Sequence, residues 1–100
     1  MSFQQHVTEK RRLTLLHLLR ENGGECNDSV LHTGAVNLGF PLTTRDNVRE
    51  DLRFLHEHDL AKAEMYGPVM VGKLTERGLD SAEGRGGRID GIAPPRPVAR

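Results

Sequence analysis

The spacing of apolar positions changes character along this chain, and each change marks an element. Between Phe3 and Glu21 the apolar residues Leu13, Leu15, Leu16, Leu18 and Leu19 crowd one window. On a helix, Leu15, Leu18 and Leu19 share a face, and Leu13 and Leu16 lie beside it. That arc is wider than one amphipathic stripe, so the pattern predicts a helix buried on two sides. Asn22-Gly23-Gly24 ends it, with glycine supplying the left-handed backbone that terminates helices. A second helix is predicted over about 28–38, capped by Asn27 or Asp28. Its buried side is Val30, Leu31, Ala35 and Leu38, and Gly34 and Ala35 are small enough for another helix to approach. Gly39 stops it, and Phe40-Pro41-Leu42 forms a turn. Thr43 or Thr44 caps the third helix: Thr43-x-x-Asp46 suits a capping box, and Thr44 can cap through the next amide instead. Val48, Leu52 and Leu55 then recur at i, i+4 and i+7 and face the core. His56-Glu57-His58-Asp59 closes the helix, and Leu60 returns to the interior.

Beyond Leu60 the period shortens. Residues 61–66 and 69–74 read as two strands around Gly67-Pro68, with Met65, Val69 and Val71 as apolar positions and Lys62, Glu64 and Lys73 as polar ones. Thr75 caps a last short helix that reaches Leu79 and Ala82. From Gly84 onward the chain holds four Gly, three Pro and four Arg and loses all periodicity. The division expected is a domain over 1–83 and a disordered basic tail over 84–100.

Composition sharpens this picture. Aromatic residues are 4% of the chain and Trp is absent, so the core must be built from Leu, Val, Ala and Met. A core this small is marginal alone, which makes burial against a second copy an expectation. No apolar run is long enough to span a bilayer. The N-terminal Met1-Ser2-Phe3-Gln4-Gln5-His6 lacks the layout of a signal peptide, so a cytoplasmic protein is expected. Cys26 is the only cysteine, which excludes an intrachain disulfide and a thiolate-rich metal site; it reads as a small loop residue. Net charge is zero but uneven: residues 1–83 hold 10 Lys/Arg against 13 Asp/Glu, and residues 84–100 hold Arg85, Arg88, Arg96 and Arg100 against Asp90. DNA affinity draws on cations that release counterions from phosphates, and an acidic body is poor at that.

The segment Asp51-Leu52-Arg53-Phe54-Leu55-His56-Glu57-His58-Asp59-Leu60, followed by a hairpin and Leu74-Thr75-x-x-Gly78, resembles winged helix-turn-helix regulators, including the ArsR-like group. The Leu-Leu-x-Leu-Leu helix after Arg11-Arg12 and the Gly-Pro hairpin tip also resemble small winged-helix proteins of Mu-like phages and prophages, over roughly residues 3–83. The resemblance implies an α+β, mostly α fold of three helices, a two-stranded wing and a short C-terminal helix, set in a bacterial host. It implies a default task of laying one helix in a DNA major groove. The metal sensing of ArsR-type regulators, which uses clustered cysteines, does not carry over to a chain with one Cys.

Arg45, Arg49 and Arg53 repeat every four residues on the third helix, with His56 on the same side, flanking the core stripe. Arg can read guanine edges or grip phosphates. One reading makes these three, with Thr43, Thr44 and Asn47 at the helix start, the DNA contact set. The other pairs them with Asp46, Glu50 and Glu57 on a solvated surface. The wing adds Tyr66 at its tip and Lys73 beyond it, but the tip carries no cation for a minor groove. His56 and His58 are spaced i, i+2, which points side chains apart on a helix, so solvated helix-end histidines explain them better than a zinc site. No serine or glycine motif supports catalysis, and no cofactor is implied. Surplus leucine surface on the first helix, with Phe3 and Val7 near its start, makes Phe3, Val7, Leu13 and Leu16 a candidate two-fold interface. The reading that follows is a homodimeric phage-encoded transcriptional regulator that binds double-stranded DNA. The alternative is a winged-helix protein-interaction module accessory to phage assembly or DNA packaging.

Overall fold

A computed structural model describes residues 2–95. Helix α1 (Phe3–Glu21) opens with a full capping box, in which the Ser2 hydroxyl accepts from the Gln5 amide and the Gln5 side chain accepts from the Ser2 amide. It buries Leu15, Leu16 and Leu19 completely, and Leu13 and Leu18 pack half-buried beside them. The chain turns through Gly23 and Gly24, both at positive φ, into a short strand β1 (Glu25–Asn27). Asn27 caps α2 (Asp28–Asn37), accepting from the Val30 amide. Thr44, rather than Thr43, caps α3 (Arg45–Glu57), in a capping box closed by Asn47. Strands β2 (Ala61–Tyr66) and β3 (Val69–Leu74) form the expected hairpin, and Thr75 caps α4 (Glu76–Ala82).

The sheet is larger than the two-stranded hairpin read from the sequence. β1 pairs antiparallel with β3, Cys26 opposite Gly72, so the order is β1-β3-β2. A three-residue strand carries no readable alternation, which is why Cys26 looked like a loop residue. Its side chain is instead buried, and burial pushes the thiol pKa up, with a backbone hydrogen bond at Asn27 opposing. The core face of β3 is Met70, Gly72 and Leu74; Val69 and Val71 alternate to the outer face with Lys73. On α2 only Leu31 and Ala35 are buried among the four expected core positions. Val30 and Leu38 are more than half exposed.

Two glycines fix close approaches. A Cβ on Gly72 would sit 2.7 Å from a Leu52 methyl, so the bare strand lets α3 lie on the sheet. A Cβ on Gly78 would fall 1.8 Å from the Leu60 carbonyl oxygen, so the Leu-Thr-x-x-Gly pattern encodes the contact of α4 with the start of β2.

The segment after Glu83 departs most from expectation. Instead of leaving the domain as a tail, residues 84–95 run back across α1 and α3. Ile92 is buried with the core leucines and Ile89 packs against them. The Ala93 amide donates to the Glu9 carbonyl at 3.1 Å, and Arg12 donates to the Gly91 carbonyl at 3.1 Å. The glycine and proline content hid two isoleucines whose burial offsets the cost of ordering the segment. Arg96 and Arg100, also assigned to that tail, lie outside the described residues.

Candidate nucleic-acid interface

The arginine stripe of α3 is built around a buried acid. Asp28, the first residue of α2, is fully buried. Its position in the first turn suits a carboxylate, because the amides there are unpaired and the helix dipole is positive. Arg49 donates Nε to one Asp28 oxygen at 2.5 Å, and Arg45 donates to the other at 3.2 Å. Burial pushes the Asp28 carboxyl up, but the hydrogen bonds from Arg49, Arg45 and the Met70 amide outweigh it and hold the pKa below the usual carboxylate range. The same guanidiniums reach the hairpin tip, where Arg49 donates to the Pro68 carbonyl at 2.6 Å. One arginine thus fastens α3 to both α2 and the hairpin.

A depressed folded-state pKa gives a signed expectation. The Asp28 contribution is fully present above the ordinary carboxylate pKa and is lost as pH falls through the lower folded value. Thermal melting followed from neutral pH into acid should therefore show a steep loss of stability below about pH 4. In Asp28→Asn that loss should be shallower, from a lower starting point. An unchanged acid limb would contradict the assignment.

The remaining candidate positions divide clearly. Thr43 is buried, and its carbonyl lies 2.7 Å from His32 Nε2. Thr44 is exposed and Asn47 half-buried, and the two already satisfy one another through the cap. Arg45 keeps 44% of its side chain exposed, against 24% for Arg49. Arg53 is exposed, and its side chain makes no ion pair or hydrogen bond among the described residues. Asp46 and Glu50, exposed on the same helix, pair with none of the three arginines, contrary to the solvated-surface reading. Tyr66 is 59% exposed at the tip, and Lys73 makes a loose 3.8 Å pair with Glu25. His56 accepts the Ala63 amide at Nδ1, while His58 stacks on Phe54, so the two imidazoles serve different elements. No group of three metal-binding side chains comes together among the described residues.

The proposed two-fold contact on α1 loses half of its members. Leu16 is wholly buried in the molecule's own core, and Leu13 is half-buried against it; Val7, also half-buried, and Phe3, 83% exposed, lie outside that core. The wide leucine arc is explained by contacts with α2, α4 and the sheet inside one molecule.

A second buried acid escaped the sequence reading. Asp51 is fully buried and receives Arg11 through two hydrogen bonds of 2.5 and 3.1 Å and Arg12 through one of 3.2 Å. Arg12 also lies 3.8 Å over the Phe54 ring. The signal was present: Asp51 occupies a core-facing position among Val48, Leu52 and Leu55, where a charge demands a partner, and Arg11-Arg12 supplies it.

No helix among the described residues is long and apolar enough to cross a membrane. No protein-family description and no solved structure matches the chain. Two curated proteins do. One, from Haemophilus influenzae, is 35% identical over 80 residues, covering 79% of this chain and 78% of its own. The other, gp26 of Escherichia phage Mu, is 39% identical over 93 residues, covering 93% of this chain and 95% of its own. By the extent and identity of that match, the chain belongs to the family of phage Mu gp26.

Proposed function

We propose that the chain is a winged helix-turn-helix domain that binds double-stranded DNA as a phage-encoded transcriptional regulator. The order α1-β1-α2-α3-β2-β3, with β1 pairing to the hairpin sheet, supports this reading, in which α3 is the recognition helix and the hairpin the wing. The observation that carries the reading is the Arg49 bridge, which fixes α3 and the hairpin tip as one rigid edge. On that edge Arg45 and Arg53 still offer donors to solvent. Arg49 holds the edge together, and Arg53 is the cation that reaches DNA.

The interaction-module reading is favoured by a different observation. Two of the three stripe arginines spend charge on Asp28, and residues 1–83 carry more acids than bases. The two readings separate on Arg53→Ala. If Arg53 reads a base, the variant should lose about 1–3 kcal/mol of affinity, concentrated on the cognate sequence. If it grips phosphate, binding should weaken alike on all sequences and the salt slope should fall by about one. Lys73→Ala should have the smaller effect of the two. Equal binding by wild type and Arg53→Ala across a salt series would remove Arg53 from the contact set, and no binding by either at low salt would move the interaction-module reading into first place. The dimer is kept as part of the proposal, but not on the leucines of α1.

A further inference from the structure

The two most exposed large apolar side chains among the described residues face one groove. Phe3, 83% exposed, opens α1, and Leu42, 91% exposed, sits in the turn before α3. The groove that both line is about 1180 Å³, and Val7, Phe40 and Pro41 add apolar surface to it. Its walls are joined where Arg11 grips Asp51. From that junction α1 runs back to Phe3 and α3 runs back toward Leu42, so each wall carries its apolar residue at the outer end. Each also carries a charge near the junction. Lys10 stands seven residues after Phe3, two helical turns or about 10 Å along the same face of α1. Glu50 stands next to Asp51 on α3. Of the charged residues that line the groove only these two are exposed, and neither makes an ion pair among the described residues.

We infer that a second copy of this chain docks in this groove, about a two-fold axis that runs along it. A groove can face a copy of itself in two ways. An axis across it reverses the partner end for end, which sets Phe3 over the partner's Lys10 and Leu42 over the partner's Glu50, apolar against charge both times. An axis along it lays the α1 wall of each copy on the α3 wall of the other at the same height. Phe3 then meets the partner's Leu42 and Lys10 meets the partner's Glu50, each contact made twice. Apolar burial drives the association, and the opposite charges select the axis. The interface is isologous and closes after two copies. It leaves the arginine stripe free, because Arg45 and Arg49 reach toward Asp28 and the hairpin tip and do not line the groove.

The inference rests on the dimer reading and is independent of DNA binding. Sedimentation of the full chain over a concentration series reaching tens of micromolar tests it. Phe3→Ser and Leu42→Ser should each weaken association by about tenfold or more, because each change is felt twice. Both side chains lie outside the core, so the melting temperature of the dilute monomer should not move and loss of dimer is not loss of fold. Lys10→Glu and Glu50→Lys, made singly, each place like charges together twice and should weaken association by about tenfold. The double variant restores both opposite-charge pairs and should recover most of the wild-type association. Val30→Ser, which removes an exposed apolar residue outside the groove, should change nothing. A wild-type dimer that survives the Phe3 and Leu42 changes would overturn the inference and leave the dimer reading standing with its interface elsewhere. A dimer that the single charge changes weaken but the double variant does not restore would overturn the axis. A wild type that sediments as a monomer would overturn both readings and leave the groove to a different protein.

Discussion

Asp51→Ala should destabilise the fold by about 3–5 kcal/mol, the largest effect expected of any polar substitution here. The carboxylate has no solvent exposure and meets two guanidiniums, one of them nearly as deeply buried. Removing it strands Arg11 in the interior and frees Arg12 from one side of its contact with Phe54 and Gly91. Asp46→Ala, on the exposed side of the same helix, should change stability by no more than about 0.5 kcal/mol. Equilibrium denaturation of the two variants checks the contrast. Similar midpoints would mean that the buried ion pair contributes nothing that water does not replace.

Ile92→Ala should cost about 2–5 kcal/mol, a loss that a residue in an unattached tail could not produce. Ile92 is 5% exposed among the core leucines, and the segment around it is held by Arg12, Glu9 and Phe54. Truncation after Glu83 should cost at least as much, because it removes Ile89 and these contacts too. Hydrogen exchange gives the same test without mutation: the Ala93 amide should be protected, and its rapid exchange together with a silent Ile92→Ala would return the segment to the status of a tail.

Much of the architecture was legible because it is written in local chemistry. Serine, asparagine and threonine caps, the glycines at 23, 24 and 39, and the Val48/Leu52/Leu55 stripe each specify an element from a few residues. The hairpin followed from alternation around Gly67-Pro68. What was not legible depends on contacts between elements. β1 is too short for a period and exists only because Gly24 and Cys26 meet β3. The segment from Gly84 to Pro95 has a disordered composition, yet two isoleucines dock it. Leu16 looked like surplus surface because periodicity on one helix cannot count its neighbours.

The candidate edge shows the same division. The Arg45/Arg49/Arg53 stripe is visible as spacing, and that spacing points to carboxylate partners at i+3 and i+4 on the same helix. The acid that engages Arg45 and Arg49 sits instead on α2, seventeen and twenty-one residues away. Helical spacing reports neighbours along one helix only. A charge in the first turn of the preceding helix becomes a partner only once α2 and α3 pack.

We propose that the edge formed by α3 and the hairpin engages DNA, and titration of wild-type protein into duplex DNA from its own locus measures that binding. At low salt the binding should be saturable and tighter than to an unrelated duplex of equal length. Raising the salt should weaken it with a shallow slope, of only a few phosphate contacts, because Arg45 and Arg49 share their charge with Asp28. No measurable binding to the locus at low salt would contradict the claim and leave the edge to a protein partner.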